Sequence, residues 1–129
     1  MDKVCPVVLR PGRRVLAFRH PQAGLQLVKG GIESNEAPAA AAARELYEEA
    51  GLSLWPVRDL GHSTRIARGD TWHFWLMAHS ILPEAWDHHT DDDGGHRFAF
   101  FWHPIGEPPP PDFAPPFVRA LDHIAATIP

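Results

Sequence analysis

The chain has 129 residues, 44% of them hydrophobic, which predicts one domain over residues 1–129 with a single packed core. Its formal net charge of −4 argues against a general nucleic-acid or membrane-surface binder. The one cysteine, Cys5, excludes an internal disulfide, and neither a signal peptide nor an apolar run of the ~20 residues that span a membrane is recognisable. We therefore expect a soluble, cytoplasmic protein.

The first thirty residues predict three strands. Residues 4–9 and 14–18 are rich in β-branched and aliphatic side chains, and the Pro11-Gly12 pair between them is a turn signal. We expect these two segments to form a hairpin. Residues 25–29 predict a short third strand that leads directly into a glycine pair.

The next segment, GGIESNEAPAAAAARELYEEAGL (residues 30–52), predicts a helix over residues 36–50. Cap residues and an acid near the positive end of the helix dipole mark its start, at Ser34, Asn35 and Glu36. Pro38 fits a first turn, where its missing N–H has no intrahelical acceptor, and Gly51 is a typical C-terminal stop. The alanines between them favour the helix.

Three carboxylates share one face of this helix, because Glu45, Glu48 and Glu49 stand at i, i+3 and i+4. Like charges at that spacing repel, and a divalent cation with hard oxygen ligands, Mg²⁺ or Mn²⁺, would remove the repulsion. Arg44 is placed to pair with Glu48. The side expected to face the core carries Ala43, Leu46, Tyr47 and Ala50.

The whole stretch has the spacing G-x5-E-x7-R-E-U-x-E-E-x-G-U, where U is aliphatic, with Gly30 first and Leu52 last. It resembles the Nudix box, the signature of the Nudix hydrolases. That resemblance implies an α/β fold, an α-β-α sandwich with a mixed β-sheet. It also implies a hydrolase that cuts the diphosphate linkage of a nucleoside diphosphate derivative with Mg²⁺, for which Mn²⁺ substitutes.

The resemblance further implies roles for individual residues. The side-chain metal ligands would be Glu45, Glu48 and Glu49, joined by the carbonyl of Lys29. Arg44 would orient an acidic partner, Glu36 would support the site, and the backbone at Gly30 and Gly31 would approach metal and phosphates closely. Water activated by the metal would attack phosphorus. The general base stays open between a box glutamate, Glu45 or Glu48, and an acid or histidine from a later loop.

After the box, residues 55–60, 71–80 and 97–103 predict strands, the last two rich in aromatic side chains. Residues 107–116 form a proline-rich crossing, and residues 117–127 predict a closing helix. Its apolar side would carry Val118, Leu121, Ile124 and Ala125.

Residues 83–96 predict a loop that is long for a compact domain and carries more than a spacer needs. In Nudix enzymes a late loop often brings an acid or a histidine to the site. The candidates here are Glu84, His88, His89, Asp91, Asp92 and Asp93. Trp86 is an apolar anchor inside the same run.

The substrate is open between dinucleoside polyphosphates, nucleoside triphosphates and similar compounds. Residues 25–33 are similar to the W-Q-hydrophobic-P-K/Q-G-G/H-I/V motif of dinucleoside polyphosphate and RNA 5′-pyrophosphate hydrolases, although Leu25 replaces tryptophan and Val28 replaces proline. Nucleic acid is otherwise not an expected partner, and a homodimer is left open. The alternative is a Nudix-fold module that binds a nucleotide without cutting it.

Overall fold

The computed structural model describes residues 1–91 and 94–129, which form nine strands and two helices. In chain order these are β1 (Asp2–Val7), β2 (Leu9–Arg10), β3 (Arg14–His20), β4 (Gly24–Gln26), β5 (Gly30–Gly31), α1 (Pro38–Ala50), β6 (Pro56–Ser63), β7 (Thr71–Met77), β8 (Trp86–Thr90), β9 (His96–Pro104) and α2 (Pro115–Thr127).

The strands form two sheets. One has the order β5-β1-β7-β6, and the other has the order β2-β3-β9-β8 with β4 also paired to β3. The first sheet is mixed, because β1 runs parallel to β7 and antiparallel to β5. The predicted mixed sheet is therefore confirmed.

Alternate residues of the strands are buried against different helices. Val4 and Phe18 pack in a cluster with Ala42 and Leu46 of α1, whereas their chain neighbours Cys5 and Ala17 pack in a second cluster with Ile124 of α2. Strands buried on both faces between two helices give the predicted α-β-α sandwich. In the described part of the chain no helix is long and apolar enough to cross a membrane.

Helix α1 ends where the sequence predicts and begins two residues later. Its N-cap is Ala37, with an extended backbone (ψ 145°), because a residue before proline avoids the helical conformation. The predicted cap residues make no cap; instead the Glu36 carboxylate accepts the N–H of Glu33 at 3.0 Å. At the other end Gly51 has φ +74° and donates its N–H to the carbonyl of Tyr47.

The predicted hairpin of residues 4–9 and 14–18 is wrong for its first half. Strand β1 pairs with β5 and β7 in the first sheet, and only the two residues of β2 pair with β3. The chain changes sheets around Val8, whose carbonyl accepts the N–H of Leu16 at 2.9 Å. The strand predicted at residues 25–29 is shorter, because β4 ends at Gln26.

The predicted loop of residues 83–96 contains a strand. Trp86–Thr90 forms β8, which pairs antiparallel with β9 from Trp86 opposite Phe100 to Thr90 opposite His96. Polar residues are accommodated because β8 is an edge strand with one face in solvent.

The remaining predicted elements are confirmed with small shifts in their ends. The helix faces differ more. In α1 Tyr47, predicted to face the core, is 61% exposed, and Glu45 is buried. In α2 the buried residues are Phe117, Ala120, Leu121 and Ile124, and Val118 packs against the same core while partly buried. Ala125 is only partly buried.

Candidate active site

Arg44 is the centre of a charged network around α1. Its Nε and Nη2 donate to the two carboxylate oxygens of Glu36, both at 2.8 Å, and Nη2 also donates to the carbonyl of Gly31 at 2.9 Å. Its Nη1 donates to Glu45 at 2.9 Å and to Glu48 at 3.3 Å. All three guanidinium nitrogens are therefore engaged. Hydrogen bonds from Arg44 lower the pKa of Glu36 to about 2.

Glu45 is the most deeply buried member of the network, with only 6% of its surface exposed. Burial raises the pKa of its carboxyl, and hydrogen bonds from Arg44 and Glu49 oppose that rise. A Cβ on Gly30 would overlap the Glu45 carboxylate, whereas nothing lies near the corresponding position of Gly31. Gly30 therefore lets the backbone of β5 lie directly against a buried carboxylate. The approach of this backbone to metal and phosphates stays a prediction.

The two other box glutamates are more accessible. The side chain of Glu48 is 41% exposed and is drawn toward Arg44, whereas Glu49 is half-buried beside Glu45. Among residues 1–91 and 94–129, no three His, Cys, Asp or Glu side chains are already arranged as a metal cluster.

These carboxylates nevertheless suit a divalent cation. Glu45 is held out of water, and negative charges from Glu48 raise its pKa further, so a cation would relieve both unfavourable effects. Lys29 directly precedes Gly30 and brings its carbonyl to the same part of the chain. The ligand set of Glu45, Glu48, Glu49 and Lys29 stays a prediction.

Strand β8 lies against the C-terminal end of α1. Trp86 Nε1 donates to the carbonyl of Ala50 at 3.1 Å, and His88 Nε2 lies 3.2 Å from the carbonyl of Glu48. Beside these contacts is a cavity of about 550 Å³. Its walls include Tyr47, Glu48, Gly51, His88, His89 and Asp91.

The predicted late-loop contributors are thus divided. The structure brings His88, His89 and Asp91 to the cavity next to Glu48. Glu84 instead pairs with Arg10 at 2.6 Å and with Arg14 at 3.1 Å. Asp92 and Asp93 lie outside the described residues.

Tyr47 was predicted to face the core, so its place in the cavity wall was not expected. The contact of β8 with α1 was not expected either. Trp86 was the one signal for it, as an apolar residue inside an otherwise polar run.

Two RNA pyrophosphohydrolases are similar in sequence, one from Photorhabdus laumondii (29% identity over 116 residues, 74% of this chain and 66% of that protein) and one from Sodalis glossinidius (30% over 115 residues, 73% and 65%). The matched region therefore spans slightly less than two thirds of each relative.

The fold is shared with an ADP-ribose pyrophosphatase from Streptococcus suis, with a TM-score of 0.70, 14% identity, and coverage of 97% of this chain and 89% of that one. The family pattern of the NUDIX domain matches residues 2–123, nearly the whole chain. The chain therefore belongs to the NUDIX domain family.

Proposed function

We propose that this protein is an Mg²⁺-dependent pyrophosphohydrolase that cleaves the diphosphate linkage of a nucleoside diphosphate derivative. The observation that carries the proposal is the set of three box glutamates on one side of α1, with Glu45 buried against the backbone of Gly30 and fixed by Arg44. Family membership and the names of the two bacterial relatives support the same reaction class.

The residues of the box divide the work. Glu45, Glu48 and Glu49 would hold the cation with the Lys29 carbonyl, and a bound cation supplies neutralisation of the diphosphate charge and a more acidic water. Arg44 holds Glu36, Glu45 and Glu48 in place. Because all three guanidinium nitrogens of Arg44 already donate hydrogen bonds, we propose that Arg44 positions these carboxylates and does not bind phosphate. Glu45 and Glu48 both stay candidates for the general base.

The cavity beside Glu48 is the proposed place for the organic part of the substrate. Its volume of about 550 Å³ falls within the range of small-molecule sites. Tyr47, 61% exposed, offers an aromatic face on which a base can stack. His89 adds an imidazole group that would hydrogen-bond to ribose or phosphate.

Among substrates, the 5′-pyrophosphate end of RNA is the first to test. Two of the matching relatives are RNA pyrophosphohydrolases, and residues 25–33 are similar to the motif of that group and of dinucleoside polyphosphate hydrolases. The one cysteine, Cys5, is free and buried, which fits the reducing cytoplasm that we propose for this protein.

The test is a substrate panel incubated with Mg²⁺, with Mn²⁺ and with a chelator. The panel holds 5′-triphosphate RNA, dinucleoside polyphosphates, nucleoside triphosphates, ADP-ribose and nucleotide sugars, and the products are separated by ion exchange. We expect metal-dependent cleavage between two phosphates of at least one compound. Tight binding of a nucleotide without any cleavage by the wild type would favour the non-catalytic module instead.

A further inference from the structure

The last turn of α1 is bonded to side chains of β8. The final carbonyls of a helix have no donor within the helix, so other groups must satisfy them. Here Trp86 donates to the carbonyl of Ala50 at 3.1 Å, and His88 lies 3.2 Å from the carbonyl of Glu48. Because a carbonyl only accepts, the proton of this second bond is on Nε2 of His88.

The two donors stand on a fixed support. The indole of Trp86 stacks on Phe100 with ring centres 5.1 Å apart and an angle of 10°, and it also contacts Trp102 at 6.2 Å. Strand β8 pairs with β9 along its whole length. The donors therefore hold α1 against the sheet and not against a loose segment.

Gly51, at the end of α1, lies in close contact with the imidazole of His88. A Cβ built on Gly51 would lie 2.8 Å from Nδ1 and 3.0 Å from Cε1 of His88, closer than side chains normally approach. Gly51 also has φ +74°, a conformation that other residues adopt only with strain. The imidazole thus occupies the space beside the helix terminus that a side chain would need.

We propose that Trp86 and His88 are positioning residues, which fix the last turn of α1 and so place the carboxylates of Glu48 and Glu49 for the divalent cation. This inference rests on the proposed function. The carbonyl that His88 holds belongs to Glu48 itself, and Glu49 is the next residue. Arg44 restrains the side chain of Glu48 from the preceding turn at 3.3 Å, and not the backbone of the helix terminus. Displacements of about 1 Å in a catalytic group are enough to lower turnover strongly.

The direct test is Mn²⁺ affinity without substrate, from the free-ion signal in electron paramagnetic resonance. The variants are Trp86→Phe, which keeps the aromatic ring and removes the N–H, and His88→Ala. We expect weaker Mn²⁺ binding, by about 10-fold for His88→Ala and less for Trp86→Phe, as for residues that orient metal ligands. Turnover should fall in the same order through kcat, with KM nearly unchanged.

Two further variants separate positioning from general stability. Trp102→Phe is the matched control, because it keeps an aromatic ring beside Trp86 and removes an indole N–H that donates to the carbonyl of Pro83 at 3.0 Å and not to α1. Mn²⁺ affinity should stay at the wild-type value. His88→Gln retains a donor and should recover part of the affinity lost in His88→Ala. Amide hydrogen exchange at the end of α1 checks that both contact variants loosen this turn.

The outcomes are distinguishable. If the Trp86 and His88 variants exchange faster at the end of α1 yet bind Mn²⁺ as tightly as the wild type, these contacts only stabilise the helix and the inference is wrong. A wild-type protein that binds Mn²⁺ and hydrolyses its substrate while the variants match it overturns this inference alone. A wild-type protein that binds no Mn²⁺ overturns the proposed metal site, and the inference with it.

Discussion

The two ends of the carboxylate-bearing part of α1 are held by different kinds of interaction. On the side of β5, charged hydrogen bonds of 2.8–3.3 Å radiate from Arg44 to Glu36, Glu45 and Glu48. On the side of β8, the bonds come from an indole and an imidazole to backbone carbonyls. The first network fixes the side chains, whereas the second fixes the backbone that carries them.

The sequence separations differ as much as the chemistry. Glu36 and Gly31 lie 8 and 13 residues from Arg44, all inside the Nudix box. Trp86 and His88 lie 36 and 40 residues from their acceptors. The box is thus a nearly self-contained charged unit, and its precise placement in the domain depends on a distant strand.

The largest effect on turnover should come from the box glutamates, whose positions depend on both sets of contacts. Glu49→Gln keeps the shape of the side chain and removes its charge, so kcat should fall by ~10²-fold or more because a predicted metal ligand is lost. The metal-free variant should be at least as stable as the wild type, since one of the three like charges on this face of α1 is removed. Steady-state kinetics with Mg²⁺ and thermal unfolding with a chelator measure the two effects.

Glu107→Gln is the control for Glu49→Gln, because it removes one negative charge from an exposed residue outside α1. Full activity in Glu49→Gln would contradict the ligand assignment, and a clearly lower melting temperature would contradict a carboxylate face that is dedicated to metal.

Removal of Arg44 should be the next largest effect. Arg44→Ala releases three carboxylates at once, and turnover should fall by about 10-fold or more, mainly through kcat. Arg44→Lys should restore little, because an ammonium cannot reproduce the paired hydrogen bonds to Glu36. A change confined to KM would show instead that Arg44 contacts the substrate phosphates.

The network around Arg44 was the part of the site that the sequence predicted best. The i, i+4 pairing of Arg44 with Glu48 follows from helix geometry alone and is confirmed at 3.3 Å. The resemblance to the Nudix box supplied the fold, which is also confirmed. Helix periodicity failed for Tyr47 and Glu45, because the glycine strand β5 covers a polar residue on one side of α1. Burial of a carboxylate under a glycine is a tertiary contact, which periodicity does not contain.

The neutral end was not predictable in the same way. Asp87, His88 and His89 are typical of a loop, and they form a strand only because β9 offers hydrogen-bonding partners. The change of sheets between β1 and β2 was not predicted for the same reason, since a strand pattern in the sequence does not identify the partner strand. In both cases the strand partner is set by the tertiary structure, and residue type alone does not identify it.

The close contact between Gly51 and His88 gives a smaller effect, of a kind that a double-mutant cycle resolves. Gly51→Ala should destabilise the fold by about 2–3 kcal/mol, from positive-φ strain of about 1–2 kcal/mol plus collision with His88. In the His88→Ala background the same change should cost about 1 kcal/mol less, since the collision is gone. Denaturant unfolding measures each free energy.

Gly106→Ala is the matched control for that cycle, because Gly106 has φ +90° and open space around the position of a Cβ. It should show only the strain. Equal costs of Gly51→Ala with and without His88 would mean that the imidazole moves aside freely, and that the end of α1 is less tightly held than the distances indicate.

The smallest expected effect is a pH dependence of stability at the charged end, through Glu36. The folded state lowers the pKa of Glu36 from 4.5 to about 2, chiefly through hydrogen bonds from Arg44. A carboxyl with a lowered pKa binds fewer protons in the folded state than in the unfolded state. Its contribution to stability is therefore complete above pH ~4.5 and is lost as the pH falls toward about 2.

Glu36→Gln should remove this part of the acid sensitivity, so that the difference in unfolding free energy between wild type and variant shrinks as the pH falls over that range. Trp86→Phe should lower stability by the same amount at every pH in the range, because an indole N–H does not titrate. A wild-type minus Glu36→Gln difference that stays constant from pH 5 to 2.5 would show that the Arg44–Glu36 pair does not favour the ionised carboxylate in solution.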